Sequence, residues 1–317
     1  MVSEITNRNW LKWGFDGICD FSFRTHAEQQ YTLSIEKCSR TITNFKNESL
    51  NCAKMIYEKA QANNQEIWIS YSGGIDSEFV AQVFIEANIP FKIATIVFKN
   101  DYNNYDVFYS RKFCQKYNLK LYEFNLDIEK FLENEMWDYA KNTACASPMF
   151  PSQFKLWDSL DGFIVGGHGD MVFKRTFCTN DWNFRVKENE DSVYRYFVWK
   201  NRESAPGFFA YTPEMFLSFL WEEEIARMFL FGHRSKVSSS VGAKERVYNK
   251  YYFMDKRIKQ HGFEKINNID LYYRTELEKM LPGNDVFYTP VQTLIKSLWP
   301  NSMTGNEDGN KAVLNII

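Results

Sequence analysis

The chain has 317 residues, enough for one large domain or two modest ones. Hydrophobic residues make up 44% and aromatics 17%, which supplies a core and excludes wholesale disorder. Net charge is −2, from 38 basic and 40 acidic residues, and that balance neither supports nor excludes a nucleic-acid partner. No apolar run reaches the ~18–20 residues that cross a bilayer, and "MVSEITNRNWLKWGFDGICDF" lacks an apolar segment ahead of a small-residue cleavage site. The expectation is a cytoplasmic protein with no membrane partner and with reduced thiols at Cys19, Cys38, Cys52, Cys114, Cys145 and Cys178. There is no CxxC, and the scarce histidines offer no zinc spacing.

Residues 1–48 read as an N-terminal extension, irregular and aromatic, with alternation in "FSFRTHAEQQYTLSI" that suits short strands. From 49 to 170 the pattern is strand and helix in turn. A helix is expected over 49–62, with Leu50, Ala53, Ile56, Tyr57 and Ala60 on one face. The strand "IWISY" and a helix from Ser77 to Asn88 follow. Next come the strand "FKIATIVF", a helix over 103–117, the strand "KLYEFNL" and a helix over 127–141. A loop, the helix "QFKLWDSL" and the strand "GFIVGG" complete the series. Continuous apolar strands separated by helices predict a doubly wound parallel α/β sheet, in which ligands collect at the carboxyl ends of the strands. Residues 171–211 read as an irregular or hairpin excursion, and 212–317 as a helical C-terminal region. The latter opens at "TPEMFLSFLWEEEIARMFLF", with Thr212 as N-cap and Pro213 at the first helical position. Glu222, Glu223 and Glu224 in that run read as a solvated face, and "SKVSSSVGAKER" as a flexible Ser-rich loop carrying Lys236, Lys244 and Arg246, overlapping "AKERVYNKYYFMDKRIKQHGF", which reads as helical in its first part with a break before Gly262.

Chemistry concentrates in "SYSGGIDSEF", between the first strand of the series and its helix. A loop entering a helix there presents backbone N–H groups, and Gly73 and Gly74 let an anion approach them closely. Ser72 and Ser77 add hydroxyls. Asp76 would repel a phosphate, but it fits beside one if a divalent cation lies between them. The plainer alternative is a Gly-Gly turn with an aspartate helix cap. The spacing is neither G-x-x-x-x-G-K-[ST] nor G-x-G-x-x-G.

Residues Ser72 to Ser77 resemble the S-G-G-x-D-S loop of the ATP pyrophosphatase (PP-loop, adenine nucleotide alpha hydrolase-like) superfamily, with no substitution in the six. The resemblance implies that ATP is cut between its α- and β-phosphates after an acceptor oxygen attacks the α-phosphate. Ser72, Gly73, Gly74 and Ser77 would hold pyrophosphate, Asp76 would hold Mg²⁺, and adenine would meet the backbone between Ile96 and Lys99, centred on Val97. Two later stretches resemble the synthetase domain of asparagine synthetase. In "GGHGDMVF", Asp170 falls where that family has a second metal or pyrophosphate ligand, with His168 replacing a glutamate. In "KRIKQHGF", Arg257, Lys259 and Phe263 match an R-x-K…F pattern whose lysine stabilises phosphate or acyl charge, the alternative being a solvated basic face. Position 2 is valine where the glutaminase cysteine would stand, so no glutaminase is expected. The implied set is ATP and Mg²⁺ as cofactors, a small-molecule or nucleobase acceptor, and ammonia or an amine as donor, with RNA left open. PAPS reductase-like or tRNA-modifying chemistry, and a nucleotide-binding module without turnover, are the alternatives; the acceptor and the oligomeric state are not legible.

Overall fold

The computed structural model describes residues 5–6, 10–168, 172–175, 182–230, 240–257, 260–281, 283 and 285–298. The N-terminal segment forms an antiparallel pair, β1 (Leu11–Phe15) and β2 (Tyr31–Ile35). Helix α1 (Phe45–Ala62) begins four residues before the expected start. Asn44 explains this, because its side chain accepts from the Asn47 N–H at 2.9 Å and caps the first turn.

A parallel sheet follows, made of β3 (Ile67–Ser70), β4 (Lys92–Phe98), β5 (Leu121–Leu126) and, later, β6 (Phe163–Gly166). Its order is β5-β4-β3-β6. Helices α2 (Ile75–Glu86) and α3 (Asn104–Lys116) connect the first three strands. Before β6 come α4 (Ile128–Asn134), α5 (Met136–Thr143) and α6 (Met149–Asp158). The helix expected over 127–141 is therefore two, with the chain turning at Glu135, where φ is −113°. Helix α2 is buried along most of its length, with Phe79, Val80, Ala81, Val83 and Phe84 fully buried and Ser77, Glu78 and Gln82 buried beside them. The chain moves outward from β3 to β5 and then returns to lay β6 on the other side of β3. That reversal puts a crevice at the carboxyl ends of β3 and β6.

Beyond β6, β7 (Val172–Arg175) and β8 (Trp182–Lys187) pair antiparallel, and β9 (Val286–Pro290) joins β8. Helix α7 (Ser192–Trp199) packs Tyr196 and Phe197 into the core, fully buried. The stretch after it runs beside β6, with Ala205 N–H donating to Ile164 O at 2.8 Å. The remaining helices are α8 (Pro213–Leu220), α9 (Glu223–Leu230), α10 (Ser240–Tyr251), α11 (Asn267–Met280) and α12 (Val291–Leu298). Thr212 caps α8 by accepting from Met215 N–H at 3.1 Å, with Pro213 at the first position. The solvated-face reading fails at Glu222, which is 6% exposed and pairs with Lys250 at 2.8 Å and with the Tyr251 hydroxyl. No helix among the described residues is long and apolar enough to cross a membrane.

Candidate functional site

Helix α2 starts at Gly74, which caps it without a side-chain hydrogen bond. Its first-turn N–H groups therefore meet no cap from their own loop. The two serines brace the turn instead. Ser77 Oγ donates to Gly74 O at 2.9 Å and accepts from Ser72 N–H at 3.2 Å, while the two hydroxyls lie 3.3 Å apart. Gly73 has φ +77°, and a Cβ there would come within 2.2 Å of the Asp106 carbonyl oxygen. Only glycine satisfies both the angle and the space. On the facing strand end, a Cβ on Gly167 would meet Ser77 N at 3.3 Å, so β6 closes against the same helix terminus.

Asp76 does not stand alone. Lys244 Nζ lies 3.0 and 3.2 Å from its two carboxylate oxygens, and the Tyr248 hydroxyl donates to Oδ1 at 2.8 Å. Lys244 and Tyr248 are one turn apart on α10 and so share a face. The Asp76 and Lys244 side chains are 25% and 6% exposed. Sequence reading placed Lys244 both at the end of a Ser-rich loop and at the head of a helix, and the helix is what forms; the signal for its contact is the i, i+4 Lys–Tyr pair beside the apolar Val247.

A second cation reaches the loop from the C-terminal region. Arg257 Nη1 donates to the Gly73 carbonyl, and Nη2 pairs with Glu78 of α2. Glu78 also accepts from the Tyr71 hydroxyl at 3.2 Å, and the Arg257 guanidinium sits 4.3 Å from the Tyr109 ring centre. Burial alone would lower the Arg257 pKa, but Glu78 and then Tyr71 raise it above its ordinary value. Burial, followed by the charge of Glu78, pushes the Tyr71 phenol well up. Arg257, with its side chain 5% exposed, is not part of a solvated basic face.

A cavity of about 330 Å³ opens on this loop, within the size range of small-molecule sites. Ser72, Asp76 and Ser77 line one part of it, and Thr95, Ile96 and Phe98 another. It continues past Gly167 and His168 to Met149, Phe150 and Phe184, with Arg185, Asp191 and Tyr194 along a polar edge. His168 Nε2 lies 2.8 Å from Gln153 Oε1, and Gln153 Nε2 donates to Ser70 Oγ at 3.2 Å, so the ring is tied to the end of β3.

The cavity brings together Ser72, Asp76 and Ser77 of the expected set, with Gly73 and Gly74 in the same turn. It does not include Val97. Main-chain groups of alternate strand residues face opposite edges, and those of Val97 face β5, where Val97 is in register with Asn125. Ile96 and Phe98 face away from β5, and there the Asn103 carboxamide occupies them, donating to Ile96 O and accepting from Phe98 N–H, both at 2.8 Å. Asp170 and Lys259 lie outside the described residues. So does Cys178. Burial pushes the thiol pKa up to about 11 at Cys145 and Cys114 and to about 12 at Cys38 and Cys52.

No family model matches the chain, and no curated protein matches it. Among solved structures it is similar to an NMN synthetase from Francisella tularensis, at 15% identity and a TM-score of 0.28 over 39% of this chain. That match takes in 55% of the other chain, little more than half its length. It is also similar to an NH3-dependent NAD synthetase from Campylobacter jejuni, at 14% identity and a TM-score of 0.33, over 75% of this chain and 93% of that one. For an NAD+ synthetase from Burkholderia pseudomallei the figures are 12%, 0.29, 76% and 91%.

Proposed function

We propose that this protein is an ATP-dependent, AMP-forming ligase of the PP-loop kind, arranged like the synthetase part of asparagine synthetase and acting on a small-molecule acceptor. The observation that carries the reading is the glycine loop itself. A helix terminus with no side-chain cap opens, between two serine hydroxyls, onto a cavity at the sheet's switch point, and the carboxylate of Asp76 in the loop is held by a lysine. Neutral backbone donors and hydroxyls suit a pyrophosphate leaving group, because they need no reorganisation as its charge grows.

An acceptor oxygen attacks the α-phosphorus, the bond to the bridging β-oxygen breaks, and pyrophosphate departs against Ser72, Gly73, Gly74 and Ser77. An adenylated acceptor remains, from which ammonia or an amine displaces AMP. Asp76 would hold a Mg²⁺ ion beside the phosphates. When bound, that ion would offset phosphate charge. With Asp76 engaged there, the Lys244 ammonium that now pairs with it would be available to a phosphate oxygen. Asp170 and Lys259 keep the roles that the resemblance implies, as a second acidic ligand and a charge stabiliser. The continuation of the cavity among Met149, Phe150, Phe184 and Arg185 suits a compact acceptor better than RNA. Sulfur transfer finds no support in Cys145, a fully buried thiol held protonated at neutral pH.

The test is incubation with ATP, Mg²⁺ and a panel of carboxylates, nucleobases and RNA, with pyrophosphate, AMP and ADP all measured. Pyrophosphate and AMP in equal amounts, lost in Asp76→Ala, are expected. ADP as the product sinks the ligase reading. ATP binding without turnover, unaffected by Asp76→Ala, assigns a binding module instead.

A further inference from the structure

The peptide joining Gly73 to Gly74 is the freest in the loop, since neither residue has a Cβ to restrain it. Turned over, it would point a carbonyl, an acceptor, into the place where a phosphate needs donors. It is pinned at both edges. The Gly73 oxygen accepts from Arg257 Nη1, and the Gly74 N–H faces the Ser72 hydroxyl at 3.4 Å. Because the peptide is planar, fixing its carbonyl outward fixes its N–H inward.

Arg257 is itself held from several sides. Nη2 pairs with Glu78, a side chain only 8% exposed, and the guanidinium lies 4.3 Å from the centre of the Tyr109 ring on α3. A planar fork reaches a carbonyl and a carboxylate at once and stacks on a ring; an ammonium point charge cannot do all three. Its own stretch of chain carries no helix between Phe253 and Arg257 and is tied to α3 by Lys112 and Asp255 at 2.7 Å.

We propose that Arg257 is a positioning residue. It keeps the Gly73–Gly74 peptide in the anion-accepting orientation and couples the 252–257 segment to phosphate binding. The proposal rests on the reading that the loop holds pyrophosphate. Coupling of this kind is reciprocal, so a bound phosphate tightens the segment as the segment tightens the site.

The experiment uses the full chain with pyrophosphate and Mg²⁺ as the probe. Arg257→Lys and Arg257→Gln are expected to weaken pyrophosphate and ATP binding about tenfold, the scale of one charge-assisted hydrogen bond. Amide hydrogen exchange at 72–77 is expected to speed up in both variants without ligand. In the wild type, pyrophosphate is expected to slow exchange at 252–257, a readout that needs no variant to fold. Wild-type affinity in both variants overturns the role of Arg257, and unchanged exchange at 252–257 on pyrophosphate binding overturns the coupling. Wild-type protein that binds neither pyrophosphate nor ATP overturns the reading of the loop itself, a result recognisable before any variant is made.

Discussion

The glycine loop at 72–77 and the cations that close on it from 244–257 meet in one place but are encoded differently. The braces that the loop residues make with one another are local, such as Ser77 Oγ to Gly74 O, three residues apart. The closing contacts span the chain, at sequence separations of 168 for Lys244 and Asp76 and 184 for Arg257 and Gly73. Local geometry is written in residue type and spacing. Long-range geometry is written only as charged side chains that have to be buried, and a buried charge needs a partner that the sequence does not name.

The comparison breaks most sharply at Gly73. Gly73→Ala puts a Cβ at φ +77° and within 2.2 Å of the Asp106 carbonyl oxygen. The angle alone costs about 1–3 kcal/mol, and a backbone oxygen on α3 has little room to yield. Pyrophosphate release is expected to fall about a hundredfold, the scale of a misplaced charge-stabilising donor. Steady-state kinetics with ATP checks this. Near-normal turnover would mean that the loop's conformation is not what its spacing implies.

The long-range half is tested by Lys244. Lys244→Ala leaves Asp76 with the Tyr248 hydroxyl and removes a side chain that is 6% exposed. Stability to urea is expected to drop about 1.5–3 kcal/mol, the range for hydrogen bonds to charged groups. A double-mutant cycle with Asp76→Ala isolates the pair, and most of the loss should vanish when Asp76 is already absent. Additive losses would show that the two residues do not act as a unit.

This contrast also explains what was legible beforehand. The order of strands and helices from Ile67 to Gly166, and the position of the loop between β3 and α2, follow from apolar period and from glycine and proline punctuation. Helix starts were missed where a cap decided them, as at Asn44 for α1. Helix breaks were missed where a buried polar group interrupts an apolar run, as at Glu222 ahead of α9. At the candidate site, the gathering of Ser72, Gly73, Gly74, Asp76 and Ser77 in one turn was legible because the five lie within one short stretch of sequence. Lys244, Tyr248, Glu78 and Asn103 were not, because each acts through a neighbour that only the fold supplies. The end of β4 shows the limit well. A strand end was identifiable, but only the pairing of Asn103 with Ile96 and Phe98 reveals which main-chain edge faces away from β5 and that a side chain fills it.

A third ion pair, outside both regions, supplies the smallest effect and a control. Glu48 on α1 accepts from both Arg40 guanidinium ends and from Thr43, with its own side chain fully buried. Burial alone would raise its pKa, but the hydrogen bonds from Arg40 and Thr43 and the charge of Arg40 outweigh it and hold the carboxyl below the ordinary glutamate value. The sign follows from linkage. A group that binds its proton less readily when folded adds stability that is fully present above the unfolded glutamate pKa of about 4.3. That stability is lost as the pH falls through the lower, folded value. Glu48→Gln is therefore expected to lower stability at neutral pH and to flatten the decline on the acid side, read from urea melts at a series of pH values. Pyrophosphate release should be unchanged, since Glu48 touches neither the loop nor its closing cations. An acid limb as steep as in the wild type would mean that the carboxylates responsible for it lie elsewhere, and a loss of turnover would mean that α1 is wired to the site by a route other than Lys244 and Arg257.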